Sequence, residues 1–375
     1  MSVAGNIKQF LPGSSRSLHA MHRDVADMHD EMHVEIAEIK RQLGELYRRV
    51  EQADNGINMN LNYRYGLLDS SLDAHDAHMK MFAWENYRRG GETLEDAKKR
   101  FFRSLPKATG GMRLLQLGCA KLLGEFDALC KANEIPYWIN FGTLIGAIRH
   151  GGFIPWDDDT DLGIMRDDLD RLMNVVEEES RYRITVVYDK YVHCRQVRFL
   201  YADGSIPCFL DLFIYDWAPA VDAAKAERQR ELRRQMVDEM EKDERLAFWG
   251  ECPYYSGEKS ALIQGYYDRC LGVSRDEGII CDGGEAKAIV WAIDNLDDDK
   301  QHQWSYSLSD LFPTQEMEFE GVKLEAPGNP DVFLQSRYGD ILELPKDIHT
   351  HFEHVDHDEL ESGDTNEAMR ELLGE

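Results

Sequence analysis

Four acidic side chains crowd into the stretch PWDDDTDLGIM: Asp157, Asp158, Asp159 and Asp161. Most acidic runs are solvated turns. This one is bounded by Trp156 on one side and by Leu162, Ile164 and Met165 on the other, so part of it is drawn towards a core. Read as a strand, the segment alternates its side chains between two faces, and Asp159 and Asp161 then point the same way. Two carboxylates on one face repel unless a cation lies between them, and an all-oxygen ligand set selects a hard divalent ion such as Mg2+ or Mn2+. Asp211 stands in CFLDLFIYD with Leu210, Leu212, Phe213 and Ile214 around it. An acid in so apolar a run needs a partner, either a structural arginine or a site. If its strand neighbours that of Asp159, three carboxylates converge, as two-metal phosphoryl-transfer enzymes require. Asp216 falls on the opposite face and is the weaker candidate.

Upstream, Gly142 and Thr143 close the aromatic stretch IPYWINFG and open TLIGAIRH. A glycine at a strand end followed by a helix start presents backbone N–H groups and a positive dipole to an anion. Alone this is a weak signal; next to paired carboxylates it reads as the phosphate half of a metal-phosphate site. A calcium loop does not fit the acidic run, because the required glycine position is Leu162 and the closing glutamate position is Asp168. A DxD sugar-nucleotide glycosyltransferase remains an alternative, but that fold sets a βαβ nucleotide-binding domain before the motif, and here what precedes it is helical apart from one short strand.

The elements that must position these residues follow from periodicity. RLLQLGCAKLLGEFDALCKANE reads as an amphipathic helix, IPYWINFG as a short strand and TLIGAIRH as a helix whose first turn Thr143 can cap. PWDDDTDLGIM is then a strand, DDLDRLMNVVEEES a helix, and RITVVYD, VRFLYAD and CFLDLFIYD three strands, which is an α/β pattern. DAAKAERQRELRRQMVDEMEKDERLAF reads as a long solvated helix, EMEFEGVKLEAP as a hairpin about Glu320 and Gly321, and NPDVFLQSRYGD as a helix. Beyond His357 the chain is acidic and poor in large apolar residues, which predicts little fixed structure.

Composition bounds the function. The 375 residues, 43% of them hydrophobic, can bury a proper core, and the net charge of −27 argues against nucleic acid as a partner, since phosphate backbones reward clustered Lys and Arg. No window approaches the roughly 18 apolar residues of a membrane span, and MSVAGNIKQFLPGSSRS lacks an apolar leader core, so a cytoplasmic protein is expected. The seven cysteines are scattered, without a CxxC pair, and fit a reducing compartment as small core fillers.

Near the N-terminus apolar residues recur at steps of three and four: Leu18, Met21, Val25, Met28 and Met32, then Ile36, Ile39, Leu43, Leu46 and Val50. This is heptad spacing with one stutter, the signature of a coiled coil. The partner is either another protomer or a later helix such as SSLDAHDAHMKMFAWENYRR; a homo-oligomer, a dimer held through residues 14–68, is expected. His29 and His33 lie one turn apart without an evident third metal ligand.

Taken together, FGTLIGAIRHGGFIPWDDDTDLGI, FLDLFIYD and FEGVKLEAPGNPDVFLQSRYGDILELP resemble the LicD family, which includes the fukutin-type proteins of the nucleotidyltransferase-fold superfamily. The likeness spans residues 110 to 350. It implies an α/β (α+β) nucleotidyltransferase-like fold with a mixed sheet over residues 111–350; outside the likeness lie the helical coiled coil of residues 1–75, a helical connector, 76–110, and an acidic tail, 351–375. It further implies a phosphotransferase that moves a phospho-alcohol, such as phosphocholine or a polyol phosphate, from a CDP-activated donor to a glycan or glycolipid hydroxyl in lipopolysaccharide, teichoic acid or capsule synthesis, at the inner membrane face. By the same resemblance Asp159, Asp161 and Asp211 are the metal-holding and catalytic acids, Asp211 being also the preferred base, with CMP as leaving group. Gly142 and Thr143 match the phosphate-binding turn, Arg149 and His150 are phosphate contacts, and Tyr338, Gly339 and Asp340 match a C-terminal signature without an assigned role. The zinc-binding cysteine cluster of some animal relatives has no counterpart, which points to a bacterial-type branch. The competing reading is a non-catalytic scaffold, with the coiled coil as its working part and the acidic site vestigial.

Overall fold

The computed structural model describes residues 11–252, 254–297, 304–344 and 354–375. The expectation of no leader core is drawn from residues 1–17, of which 1–10 lie outside the described residues, as do the seam side chains of Leu18, Met21 and Val25. Two compact units divide the chain, Met1–Tyr87 and Arg88–Glu375.

The described residues of the first unit form one uninterrupted helix, α1 (Leu11–Tyr87, 77 residues). The segment expected to form a second helix, SSLDAHDAHMKMFAWENYRR, is its continuation, so that segment cannot fold back to cover the seam. Every side chain from Asp27 to Met79 is exposed, including Ile36, Ile39, Leu43, Leu46 and Val50. The rings of His29 and His33 meet edge to face at 4.4 Å, and neither joins any cluster of metal-ligand type among the described residues.

The second unit begins with the connector helix α2 (Leu94–Arg103), capped by Thr93, whose hydroxyl accepts from the Asp96 N–H. Helix α3 (Gly110–Ala132) buries Leu115, Cys119, Leu122, Leu123, Phe126 and Cys130 along one side, the face its 3.6-residue periodicity predicts. There follow β1 (Tyr137–Ile139), α4 (Phe141–Arg149), β2 (Asp161–Met165), α5 (Arg166–Glu177), β3 (Tyr182–Asp189), β4 (Cys194–Tyr201) and β5 (Phe209–Ala218). Next come α6 (Ala223–Lys242), α7 (Gly257–Asp276), β6 (Ala288–Trp291), β7 (Ser305–Ser307), α8 (Leu308–Leu311), the hairpin β8 (Gln315–Phe319) and β9 (Val322–Ala326), then α9 (Pro330–Tyr338), α10 (His357–Leu360) and α11 (Gly363–Leu373).

Seven of the strands form one mixed sheet, ordered β1-β2-β5-β4-β3, with β6 joined to β5 and β7 to β6. Only β2 and β5 run parallel, and their register sets Asp161 beside Asp211. All five residues of β2 are buried, as a strand covered on both faces must be. The main core joins α3, α4 and α5 to the sheet; a second forms where α6 and α7 pack Leu232, Met236, Met240, Ile263 and Tyr267 against Tyr188, Ala288 and Val290.

Four expectations are corrected. The acidic strand is shorter than its apolar flanks suggested: it starts at Asp161, and Asp159 lies in the loop before it. Thr143 does not cap α4; the Asn140 side chain does, accepting from the Phe141 N–H at 3.0 Å. Helix α6 is not merely solvated: besides its apolar stripe it buries Arg233, which donates to the carbonyls of Asn295 (2.9 Å), Val192 (3.2 Å) and His193. The acidic tail is ordered from His354: α11 packs on α3, with Met369 and Leu360 buried. Of the seven cysteines, five are buried, Cys281 is half-buried, Cys252 is exposed, and all are unbridged.

Candidate active site

Local sequence explains how the acids are held. Loop 154–157 turns on a bond from Asp157 N–H to Ile154 O (3.0 Å), and the buried Gln116 of α3 donates to the carbonyls of both residues (2.9 and 3.3 Å). Thr160 then pins the loop to β5: its hydroxyl donates to Phe209 O and its carbonyl accepts from Asp211 N–H, both at 2.8 Å. The outcome is that ligand-type oxygens of Asp159, Asp161 and Asp211 lie within 4.8 Å of one another. Asp159 reaches the cluster from the loop, while Asp161 and Asp211 reach it from adjacent strands.

The residues read as a phosphate turn touch the same acids. Gly142 N–H donates to Asp161 Oδ2 at 3.1 Å, and Thr143 Oγ accepts from Asp161 N–H at 2.7 Å. A Cβ at position 142 would stand 2.9 Å from Asp157 Oδ2 and 3.5 Å from Asp161 Oδ2, so only glycine lets the carboxylates come this close to the start of α4. The positive end of the α4 dipole therefore adjoins the cluster.

Burial and repulsion dominate the electrostatics. Burial, then the neighbouring Asp157 and Asp211, pushes Asp159 up to about 8, and burial with Asp159, Asp157 and Asp211 raises Asp161 well above the carboxylate range. Burial also raises Asp211, opposed by Arg198, whose Nε donates to Asp211 Oδ1 at 2.8 Å. Both sequence alternatives for Asp211 thus hold at once: it has an arginine partner and it faces the other acids. The donor set fits a hard divalent cation, since three buried carboxylates at this spacing relieve their repulsion only by binding a cation or a proton.

Two expected phosphate contacts are not brought to the acids. Arg149 and His150 end α4, seven and eight residues beyond Gly142, which is about 10 Å along the axis at 1.5 Å per residue. Arg149 is buried, donates to Ile341 O at 2.9 Å and lies 4.6 Å from the Phe102 ring centre. His150 packs on Phe102, and burial, then Arg149, pushes it down to about 3. Asp216 belongs to a different buried network, paired to Arg166 at 2.6 and 2.9 Å, with Arg166 also bridging to Asp294.

Sequence reasoning missed His354. Its Nδ1 pairs with Asp158 Oδ1 at 2.9 Å, while Asp158 Oδ2 accepts the backbone N–H groups of His354 (2.6 Å) and Val355 (3.0 Å). Burial pushes Asp158 up, but these bonds outweigh it and leave the group below the usual range. The other ring nitrogen of His354 stands 3.4 Å from Asp159 Oδ2. His354 also lines a cavity of ≈ 440 Å³ with Asp211, Arg198, Gln196, Phe213 and Asn295, so the cluster opens onto a cleft. No local signal marked His354, because it is nearly 200 residues from its partner. The C-terminal signature acquires structural roles: α9 ends at Tyr338, Gly339 follows it, and Asp340 caps Leu342 N–H (2.9 Å) and pairs with Lys98 (3.0 Å).

A mixed α/β unit with a buried carboxylate trio beside a helix start, open to a cleft, offers a donor set that could bind a metal ion. Residues 134–253 match the family described as LicD/FKTN/FKRP, nucleotidyltransferase domain, and over this stretch the chain is similar to LicD/fukutin-type proteins. It is 40% identical over 121 residues to lipopolysaccharide cholinephosphotransferase LicD of Haemophilus influenzae, covering 29% of this chain and 45% of that protein. It is 36% identical over 105 residues to an uncharacterised protein of Rickettsia prowazekii, 28% of this chain and 37% of that one. Over 39 residues it is 51% identical to ribitol 5-phosphate transferase FKRP of Homo sapiens, 10% of this chain and 8% of the other. The chain spans less than half the length of the curated relatives it matches. Among the described residues no helix is long and apolar enough to cross a membrane.

Proposed function

We propose that this chain is a metal-dependent phosphotransferase of nucleotidyltransferase-like fold, moving a phospho-alcohol of the phosphocholine or polyol phosphate type from a CDP-activated donor to a hydroxyl of a cell-surface glycan or glycolipid. The observation that carries the reading is the convergence of Asp159, Asp161 and Asp211 beside the start of α4. The printed activities of the cholinephosphotransferase and ribitol phosphate transferase relatives support it. Asp159, Asp161 and Asp211 hold Mg2+ or Mn2+, which when bound supplies charge neutralisation at the donor pyrophosphate. Gly142 and Thr143 fix Asp161 and set the α4 dipole towards the donor phosphates. Arg198 anchors Asp211 through Oδ1, which commits that carboxylate to holding the ion and removes it as first choice for the acceptor's base. His354, locked by Asp158, walls the cleft in which donor or acceptor lies. Arg149 and His150 are withdrawn as phosphate contacts. The enzyme works in the cytoplasm at the inner membrane face, reached through its acceptor.

A panel of CDP-alcohols incubated with the protein and Mn2+ tests this by CMP release. Turnover of at least one donor, abolished by Asp161→Asn in a protein that keeps its far-UV spectrum, is the expected result; no CMP from any donor counts against it. Nothing observed favours the glycosyltransferase alternative, since among the described residues α1, α2, α3, β1 and α4 precede the acids without a βαβ domain.

A further inference from the structure

The exposed seam of α1 asks for an occupant, and its phasing and charges specify one. From Ile57 the apolar positions continue beyond those first apparent: Leu61, Tyr65, Leu68 and Leu72 keep to three- and four-residue steps with a second stutter at 57–61–65, and after one seven-residue step the seam resumes at Met79 and Phe82, all of them exposed. A helix of about 115 Å, at 1.5 Å per residue, carries Gly44, Gly56 and Gly66 in its interior and no burial from Asp27 to Met79. Helices of this kind owe their stability to packing.

With Ile36, Leu43, Val50 and Ile57 as a and Ile39, Leu46 and Ala53 as d, the flanking g and e positions are Glu35 and Lys40, Gln42 and Tyr47, Arg49 and Asp54. In a parallel pair each g faces the e five residues on in the other helix, which sets Glu35 against Lys40 and Arg49 against Asp54, both attractive and each made twice by symmetry. An antiparallel pair sets Gln42 against Arg49 and Lys40 against Tyr47, and gains no opposite charges. The salt bridges within the helix, Arg41 with Glu38 and Glu45, lie at c and f, off the flanking e and g positions. Three of the four a positions are β-branched, which favours two strands. We infer that α1 pairs with α1 of a second copy of this chain as a parallel, in-register, two-stranded coiled coil over residues 28–82.

The test uses the full-length protein. Light scattering at micromolar concentration should return twice the 43.2 kDa chain mass; a monomer, or a trimer or larger, overturns the inference. Under mild oxidation, Ile36→Cys should cross-link to itself above the unsubstituted background. Cross-linking only in a mixture of Ile36→Cys with Ala53→Cys establishes the antiparallel arrangement and overturns this one. Glu35→Lys with Asp54→Lys, and separately Lys40→Glu with Arg49→Glu, should each weaken association about tenfold at low salt, at a few tenths of a kcal/mol per contact. An equimolar mixture should recover it. Association unchanged by either double substitution overturns the register.

Discussion

Asp161 is held from three sides: its N–H by Thr143, its carboxylate by Gly142, and its backbone carbonyl by the Asn140 N–H at 2.9 Å. Such a clamp keeps a charge where it is repelled, so removing the charge should strengthen the fold while ending turnover. Asp161→Asn is expected to raise the melting temperature by a few degrees, given that about 1 kcal/mol moves a domain of this size by roughly 2–4 °C, and to abolish Mn2+ binding by calorimetry. A lower melting temperature would show that the carboxylate serves structure. His354 acts through Asp158 and Asp159, and its replacement by Ala should cost about 10- to 100-fold in Mn2+ affinity, the usual price of an outer partner; unchanged affinity would confine it to packing the tail. The trio was legible from sequence because acids inside apolar runs have few stable fates. Part of the geometry was not: Asp159 arrives from a loop, and only the parallel pairing of β2 with β5 brings Asp211 alongside. Arg149 and His150 misled because a helix separates its two ends, so neighbours in sequence to Gly142 are not its neighbours in space.

The β8–β9 hairpin shows an element made by local rules and then tied to the site. Glu320 and Gly321 both take positive φ, 48° and 80°, the two-residue turn that matches strand twist. The strained glutamate is half-buried and bonded to Arg113 (2.8 Å) and Lys107 (3.0 Å), and although burial opposes it, these cations push its carboxyl down to about 2. Because the folded value lies below the unfolded one, the stabilisation is full above about pH 5 and is lost as pH falls towards 2. Urea titrations should find Glu320→Gln destabilised by up to about 3 kcal/mol near neutrality, with the gap to the parent closing in acid; a gap independent of pH would refute the ion-pair account. Helix α11 was illegible for the opposite reason. Its composition is acidic, yet Met369 presses on Gly118 and Cys208 of the core, a contact between segments some 160 to 250 residues apart. Met369→Ala should cost about 2–4 kcal/mol in urea unfolding, and a cost below 1 kcal/mol would mean that α11 is only laid on the surface. Period-two strands and amphipathic helices are visible in a window of ten residues; a buried methionine in an acidic helix is visible only once its docking site exists.

Across the whole molecule the division of labour follows the division of the chain. All the acids of the trio, and the groups that hold them, Gln116, Arg198 and His354, lie in the unit that begins at Arg88, whereas the apolar seam belongs to α1. A net charge of −27 makes close approach of two chains unfavourable, so association at moderate salt requires a seam long enough to outweigh it, and α1 is the element with that length. Removing residues 1–68 takes away most of the seam and leaves the last stretch of the helix, with its buried Trp84, in place. The shortened protein should be monomeric by light scattering and bind Mn2+ with an affinity within about twofold of the full chain, since sites and supports with no shared partners act additively. A dimer would place the association surface in residues 69–375, and a monomer with a native far-UV spectrum but tenfold weaker Mn2+ binding would make pairing of α1 a condition for assembling the acids.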